Sequence, residues 1–151
     1  MTASSDETAR EILETVPLVM RTIRTHMRRS RSHNLSVPQF RALGFMRRNP
    51  GSSLSEVAEH IGLTLPSMSK LIDGLVARGL VERRIHPDDR RRITLNLTGK
   101  GSGLLRSARE SAKESLAWTL SRLSERERAA IDQAMQILHG LFSRPDEGTL
   151  P

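Results

Sequence analysis

Between Ser53 and Leu97 the apolar residues change their spacing once, from the helical repeat to strict alternation. Leu54, Val57, Ala58 and Ile61 recur at three and four residues, as does the set Met68, Leu71, Ile72, Leu75 and Val76. Each set makes one stripe on a helix turning about 100° per residue. Val81 and Ile85, then Ile93, Leu95 and Leu97, alternate with polar residues, the period of a half-buried strand. The pattern predicts helix, turn, helix, strand, turn, strand. Local signals agree. Ser53 and Glu56 have capping-box spacing. Gly62 can take the positive φ that closes a helix, and Gly62-Leu63-Thr64 makes a short turn. Thr64 caps the second helix, with Pro66 in its first turn, where a missing N–H is tolerated. Gly79 ends that helix.

The stripe fixes what lies opposite it. Pro66, Ser67, Lys70, Asp73 and Gly74 face away from the apolar side, flanked by Ser69 and Ala77. This small polar face is either simply solvated or shaped to enter a major groove, where hydroxyls and lysine meet phosphates and base edges. The segment 86–92, His-Pro-Asp-Asp-Arg-Arg-Arg, reads as the turn between the strands, and Glu82 and Arg84 face outward on the first of them. Three adjacent arginines repel one another in a merely structural loop. A phosphate backbone or a narrow minor groove would neutralise them.

The flanking segments are helical. Residues 1–5 are expected to lack order. Asp6 to Glu14 carries Ile12 and Leu13, and then either Thr15 and Pro17 start a second helix or one long helix bends at Pro17. The face that follows holds Val16, Val19, Met20, Ile23 and Met27 and ends in Arg28, Arg29 and Arg31. Those cations suit a helix C-terminus. Ser36 and Gln39 form another capping box, opening a helix from Val37 to Arg48 that packs Phe40, Leu43 and Gly44, with Phe45 and Met46 to the side. Asn49-Pro50-Gly51 breaks it. Thr98 opens a long helix to about Arg122, weakened at first by Gly99, Gly101 and Gly103. Ser124 and Glu127 box a last helix carrying Ile131, Ala134, Met135, Leu138, Leu141 and Phe142. The tail from Ser143 is expected to fray.

Charge and composition narrow the partners. The 151 residues hold 24 Lys and Arg against 17 Asp and Glu, a net charge of +7 that suits a polyanion. There are no cysteines, which excludes disulfides, thiolate nucleophiles and Cys-based zinc sites. No apolar run approaches membrane length and the polar start lacks a signal-peptide core, so a cytoplasmic protein without membrane contact is expected.

The run LTLPSMSKLIDGLVARGLVERR, followed by HPDDRRRITLNLTGKG, resembles the MarR family of bacterial transcription regulators, and the likeness extends from about Pro17 to about Phe142. Its most specific part is Asp89-Arg90-Arg91 followed by alternating apolar residues and Leu97-Thr98. The resemblance implies that Arg91 enters the minor groove, that Asp89 orients it, and that Thr64, Pro66, Ser67, Ser69 and Lys70 form the groove-facing end of the recognition helix. Arg84, Arg90 and Arg92 complete the expected DNA-binding set. Arg92 stands where many members carry Ala or Ser, which leaves open which arginine goes deepest.

The fold expected is mainly α (α+β): a winged helix-turn-helix with a two-stranded β-wing, at residues 32–103, between dimerisation helices at 1–31 and 104–151. The resemblance implies a homodimer that binds double-stranded DNA at a palindromic operator, most often as a repressor. It also implies a small aromatic or lipophilic effector in a cleft, for which Met20, Met27, Phe40, Phe45 and Trp118 are candidates beside the plain reading that they are core. Redox sensing through cysteine, found in part of the family, is excluded. Enzymatic function is not expected, since no nucleophile–base pair or convergent carboxylates stand out. The five histidines include no H-x-x-x-H pair and GKGSG lacks P-loop spacing, so neither a metal nor a cofactor is expected. The competing reading is a winged helix used for protein contacts.

Overall fold

The computed structural model describes residues 3–29 and 34–143. Helix α1 spans Ser5–Arg29, α2 Val37–Arg48, α3 Leu54–Ile61 and α4 Leu65–Ala77. Strands β1 (Val81–His86) and β2 (Asp89–Leu97) follow, then α5 (Gly99–Leu120) and α6 (Glu125–Phe142). The two strands form one antiparallel sheet. This is the α+β winged helix that the spacing of apolar residues predicts. The chain falls into two units, one through Lys113 and one from Glu114, so that α5 belongs to both.

Caps set the helix ends. The boxes at Ser36–Gln39, Ser53–Glu56 and Ser124–Glu127 all close in both directions. Hydrogen bonds from Ser124 hold the Glu127 carboxyl below the usual carboxylate range. A fourth box lies at Ser4–Glu7, where the Ser4 N–H donates to Glu7 at 2.8 Å and the Glu7 N–H donates to Ser4 Oγ at 3.2 Å. Order therefore begins earlier than the sequence suggests, with Ser4 as cap and Ser5 already helical; Met1 and Thr2 lie outside the described residues. α1 also runs through Pro17 as a single helix. None of its residues is buried, so water can satisfy the carbonyl that proline deprives of a donor. Arg31 and the tail beyond Ser143 lie outside the described residues.

The core of the first unit is built where α2, α3, α4, β1, β2 and the start of α5 meet. Leu43, Met46, Val57, Met68, Ile72, Leu75, Leu80, Leu95 and Leu105 are fully buried there. On α2 the buried set is Ala42, Leu43, Gly44 and Met46. Phe40 and Phe45, placed by the sequence on or beside the packed face, are only half-buried against this core. In the second unit no residue of α6 is buried, and Ile137, Leu141 and Phe142 stand open to solvent.

The end of α4 is held from three directions. Gly79 takes φ 71°; its N–H donates to the Val76 carbonyl at 2.9 Å and the Leu80 N–H donates to the Leu75 carbonyl at 3.0 Å. This is the Schellman closure of a helix. Thr98 Oγ1 donates to the Gly79 carbonyl at 2.6 Å while accepting from the Gly101 N–H at 3.0 Å. Lys100 Nζ donates to the Arg78 carbonyl at 3.0 Å, a cation at the negative end of the helix dipole. Arg78 in turn reaches the Asn34 carbonyl at 2.8 Å.

Candidate nucleic-acid interface

At the start of α4, Thr64 Oγ1 accepts from the Ser67 N–H at 3.3 Å and donates to Ser67 Oγ at 3.0 Å. That cap turns Thr64, Pro66, Ser67 and Lys70 outward, all exposed, with Ser69 half-buried beside them. Leu65, which sequence reasoning passed over, is half-exposed on the same end. The apolar stripe opposite is anchored by Met68, Ile72 and Leu75.

The wing differs from the sequence expectation in two ways. First, the turn is short: only Pro87 and Asp88 lie between the strands, and Arg90, Arg91 and Arg92 belong to β2. The register runs from Val81↔Leu97 to Ile85↔Ile93 and then jumps to His86↔Asp89. Residues 90–92 therefore bulge from β2 without cross-strand partners in the register, and a bulge bends its strand and projects what it carries. A bulged residue loses its ladder partner, and here the Arg91 N–H finds one in Asp89 Oδ1 at 2.9 Å. Asp89 thus acts on Arg91 through the backbone: it ties down the bulge that presents all three arginines. Second, Ile85 does not face the core. It is 66% exposed and its partner Ile93 52%, because the hairpin runs past the body, which buries Val81 and Leu95 and partly covers Leu97 on that face.

The structure joins the two halves of this surface through a pair the sequence analysis missed. Arg83 forms an ion pair with Asp73 of α4. Arg83 sits at strand parity between Val81 and Ile85, where an apolar residue is the rule, and a charged residue at such a place signals a partner. Arg84, on the opposite face, forms an ion pair with Glu82 at 2.7 Å.

The effector candidates are not gathered round one cavity. A space of about 160 Å³ between the end of α1 and the start of α2 is lined by Arg24, Met27, Arg28, Leu35, Ser36, Val37 and Pro38. Of the five candidates only Met27 lines it. Phe45 instead stacks on His60, ring centroids 4.5 Å apart. Burial, with Arg48 and Arg41 nearby, holds that imidazole below the usual histidine range. Trp118, 67% exposed, carries the Arg122 guanidinium 4.8 Å from its ring centroid. Among the described residues no cluster of three or more His, Asp or Glu side chains is placed to hold a metal, and no helix is long and apolar enough to cross a membrane.

Residues 33–92, the stretch that builds α2 to the wing arginines, match the model of the MarR family. Over that stretch this chain is similar to the MarR family. Curated relatives named as HTH-type transcriptional regulators are similar along more of its length. The HTH-type transcriptional regulator Mb0904 of Mycobacterium bovis is 29% identical over 82% of this chain and 86% of its own. YfiV of Bacillus subtilis, also an HTH-type regulator, is 29% identical over 70% of this chain, which spans 66% of that protein. The transcriptional repressor MprA of Escherichia coli is 36% identical over 62% of this chain and 51% of its own length. The crystal structure of RV1404 from Mycobacterium tuberculosis superposes with a TM-score of 0.79 over 98% of this chain and 100% of that one, at 22% identity; that likeness speaks for the fold.

Proposed function

We propose that this protein is a MarR-family regulator that binds a palindromic DNA operator as a homodimer, represses from it, and is released by a small aromatic or lipophilic effector. The observation that carries the DNA reading is the arginine bulge of β2, tied by Asp89, on a hairpin linked through Arg83 and Asp73 to α4. In this reading Thr64, Pro66, Ser67, Ser69 and Lys70 meet the major groove. Arg91 enters the minor groove, where width and A·T content are read, and Arg84, Arg90 and Arg92 meet phosphates. Segments 1–31 and 104–151 join the two chains, and 32–103 reads the DNA. Repression is supported by the likeness to MprA. The cavity beside Met27 and Leu35 offers a place for an effector next to the reading lobe. Such an effector works only by binding the DNA-incompetent arrangement better than the competent one.

The test is a set of binding isotherms on duplex DNA at several salt concentrations. Binding must weaken as salt rises, because cations displace counterions from phosphate. Arg91→Ala is expected to weaken binding to operator and random duplex alike by about 1–3 kcal/mol per half-site, with a shallower salt slope. Lys70→Ala is expected to alter discrimination among operator variants as well. If Arg90→Ala or Arg92→Ala shifts the isotherms while Arg91→Ala does not, Arg91 is not the deepest residue. Binding indifferent to salt and to all three would assign the wing to protein contacts instead.

A further inference from the structure

Ile85 and Ile93 form a cross-strand pair on the wing, more than half exposed on both strands. Directly opposed side chains on an antiparallel pair lie close enough to make one continuous apolar spot. Its surroundings say what covers it. Cross-strand alternation puts the pair on the face that also carries Val81, Arg83, Leu95 and Leu97. Arg83 reaches from that face to Asp73 on α4. Along the hairpin, then, the pair lies between the link to α4 and the arginine bulge at 90–92. A polyanion that runs along this face of the hairpin from the Arg83–Asp73 link to the bulge passes over it. A protein surface matching this strip would have to supply several carboxylates around an apolar centre. The DNA backbone supplies that pattern by construction, since charged phosphates alternate with the carbon faces of deoxyribose.

We propose that Ile85 and Ile93 form an apolar seat for deoxyribose on the DNA strand that runs between the major groove at α4 and the minor groove at the wing. This rests on the DNA reading given above and adds a second kind of contact to it. The arginines supply attraction that salt screens; the isoleucine pair supplies burial that salt leaves alone. Sugars carry no sequence information, so the seat strengthens binding to every duplex and sets the height of the wing on the backbone.

The test measures the 151-residue chain on a labelled random-sequence duplex across a range of salt. The double variant Ile85→Thr with Ile93→Thr keeps the β-branched shape that strands favour and removes no charge. It is expected to bind about tenfold more weakly at every salt concentration, on a line parallel to wild type. The milder pair Ile85→Val with Ile93→Val is expected to fall between, about threefold weaker, and decides the matter should the threonine variant fold poorly. Arg91→Ala, run beside them, changes the slope instead. If the isoleucine variants superpose on wild type while Arg91→Ala flattens the slope, the seat is refuted and the DNA reading survives. If wild-type binding is itself indifferent to salt, both fall together. If the variants weaken binding but sediment as smaller particles than wild type, the pair belongs to a contact between chains and the proposal is overturned.

Discussion

A methyl group at residue 101 has nowhere to go. A Cβ built on Gly101 would lie 2.0 Å from the Leu80 carbonyl oxygen and 2.9 Å from its carbon, and backbone cannot swing aside as a side chain can. Two residues on, Gly103 has no atom within 4 Å of the same construction. The two glycines look alike in the sequence, where both only weaken the start of a helix. In the fold they are opposites. Gly101→Ala is expected to cost about 3 kcal/mol or more through overpacking, whereas Gly103→Ala is expected to stabilise α5 by about 0.5–1 kcal/mol. Urea unfolding at one fixed protein concentration checks both; equal effects of one sign would contradict the packing described. The difference was hidden in the sequence because the partner, Leu80, lies 21 positions away and contributes its backbone, which no side-chain pattern reports. Caps were legible for the opposite reason. Ser36, Ser53 and Ser124 each meet a partner three residues on. The Ser4–Glu7 box was legible too, but its place near the chain start argued for disorder.

Among the elements, α2 to β2 could be read from periodicity because each buries one face against a common core. The wing could be read only in part. Alternation identified both strands, yet it assumes that every apolar position finds cover, and a hairpin that outruns the body breaks that assumption at Ile85. The triple arginine looked like a loop because like charges are usually spread by a turn; here a bulge spreads them while the strand continues. On β1 the outward face holds Glu82 against Arg84, so one cation of the proposed DNA surface is matched at rest. Both side chains are well exposed, and such a pair adds little to stability; its effect belongs to binding. Glu82→Gln is expected to tighten binding to random duplex several-fold and to steepen the salt dependence by about one counterion per wing. An anisotropy titration checks this, and an unchanged slope would show that Arg84 stays clear of phosphate.

At the scale of the whole molecule the notable quantity is the apolar surface that one chain leaves open. α1 exposes Leu13, Val16, Leu18 and Val19; α6 exposes Met135, Ile137, Leu141 and Phe142. Exposed apolar residues on each of these helices suit an interface, and in the proposed homodimer two recognition helices would lie about 34 Å apart on one DNA face. Sedimentation is expected to give a single species of twice the 16.9 kDa chain mass at micromolar concentration. Ile137 and Leu141 share a face of α6, one turn apart. Replacing both by Asp is expected to yield monomers that bind operator at least about a hundredfold more weakly, since the second half-site no longer gains from tethering. A double variant that remains dimeric would place the interface elsewhere. The terminal helices were the hardest part to read from sequence, because their apolar stripes meet nothing within the first or the second unit that could be inferred in advance.

The clasp at the end of α4 bears on how such regulators can be recombined. Thr98 and Lys100 sit at the start of α5, yet their partners are the carbonyls of Arg78, Gly79 and Leu80, and Gly101 packs directly on the Leu80 carbonyl. A reading head cut out at the end of the wing would leave behind the residues that close its own recognition helix. In an exchange of heads between paralogues, the closure of α4 travels with the head only when the crossover falls beyond residue 101. The segment that must be inherited together is therefore longer than the surface proposed to touch DNA.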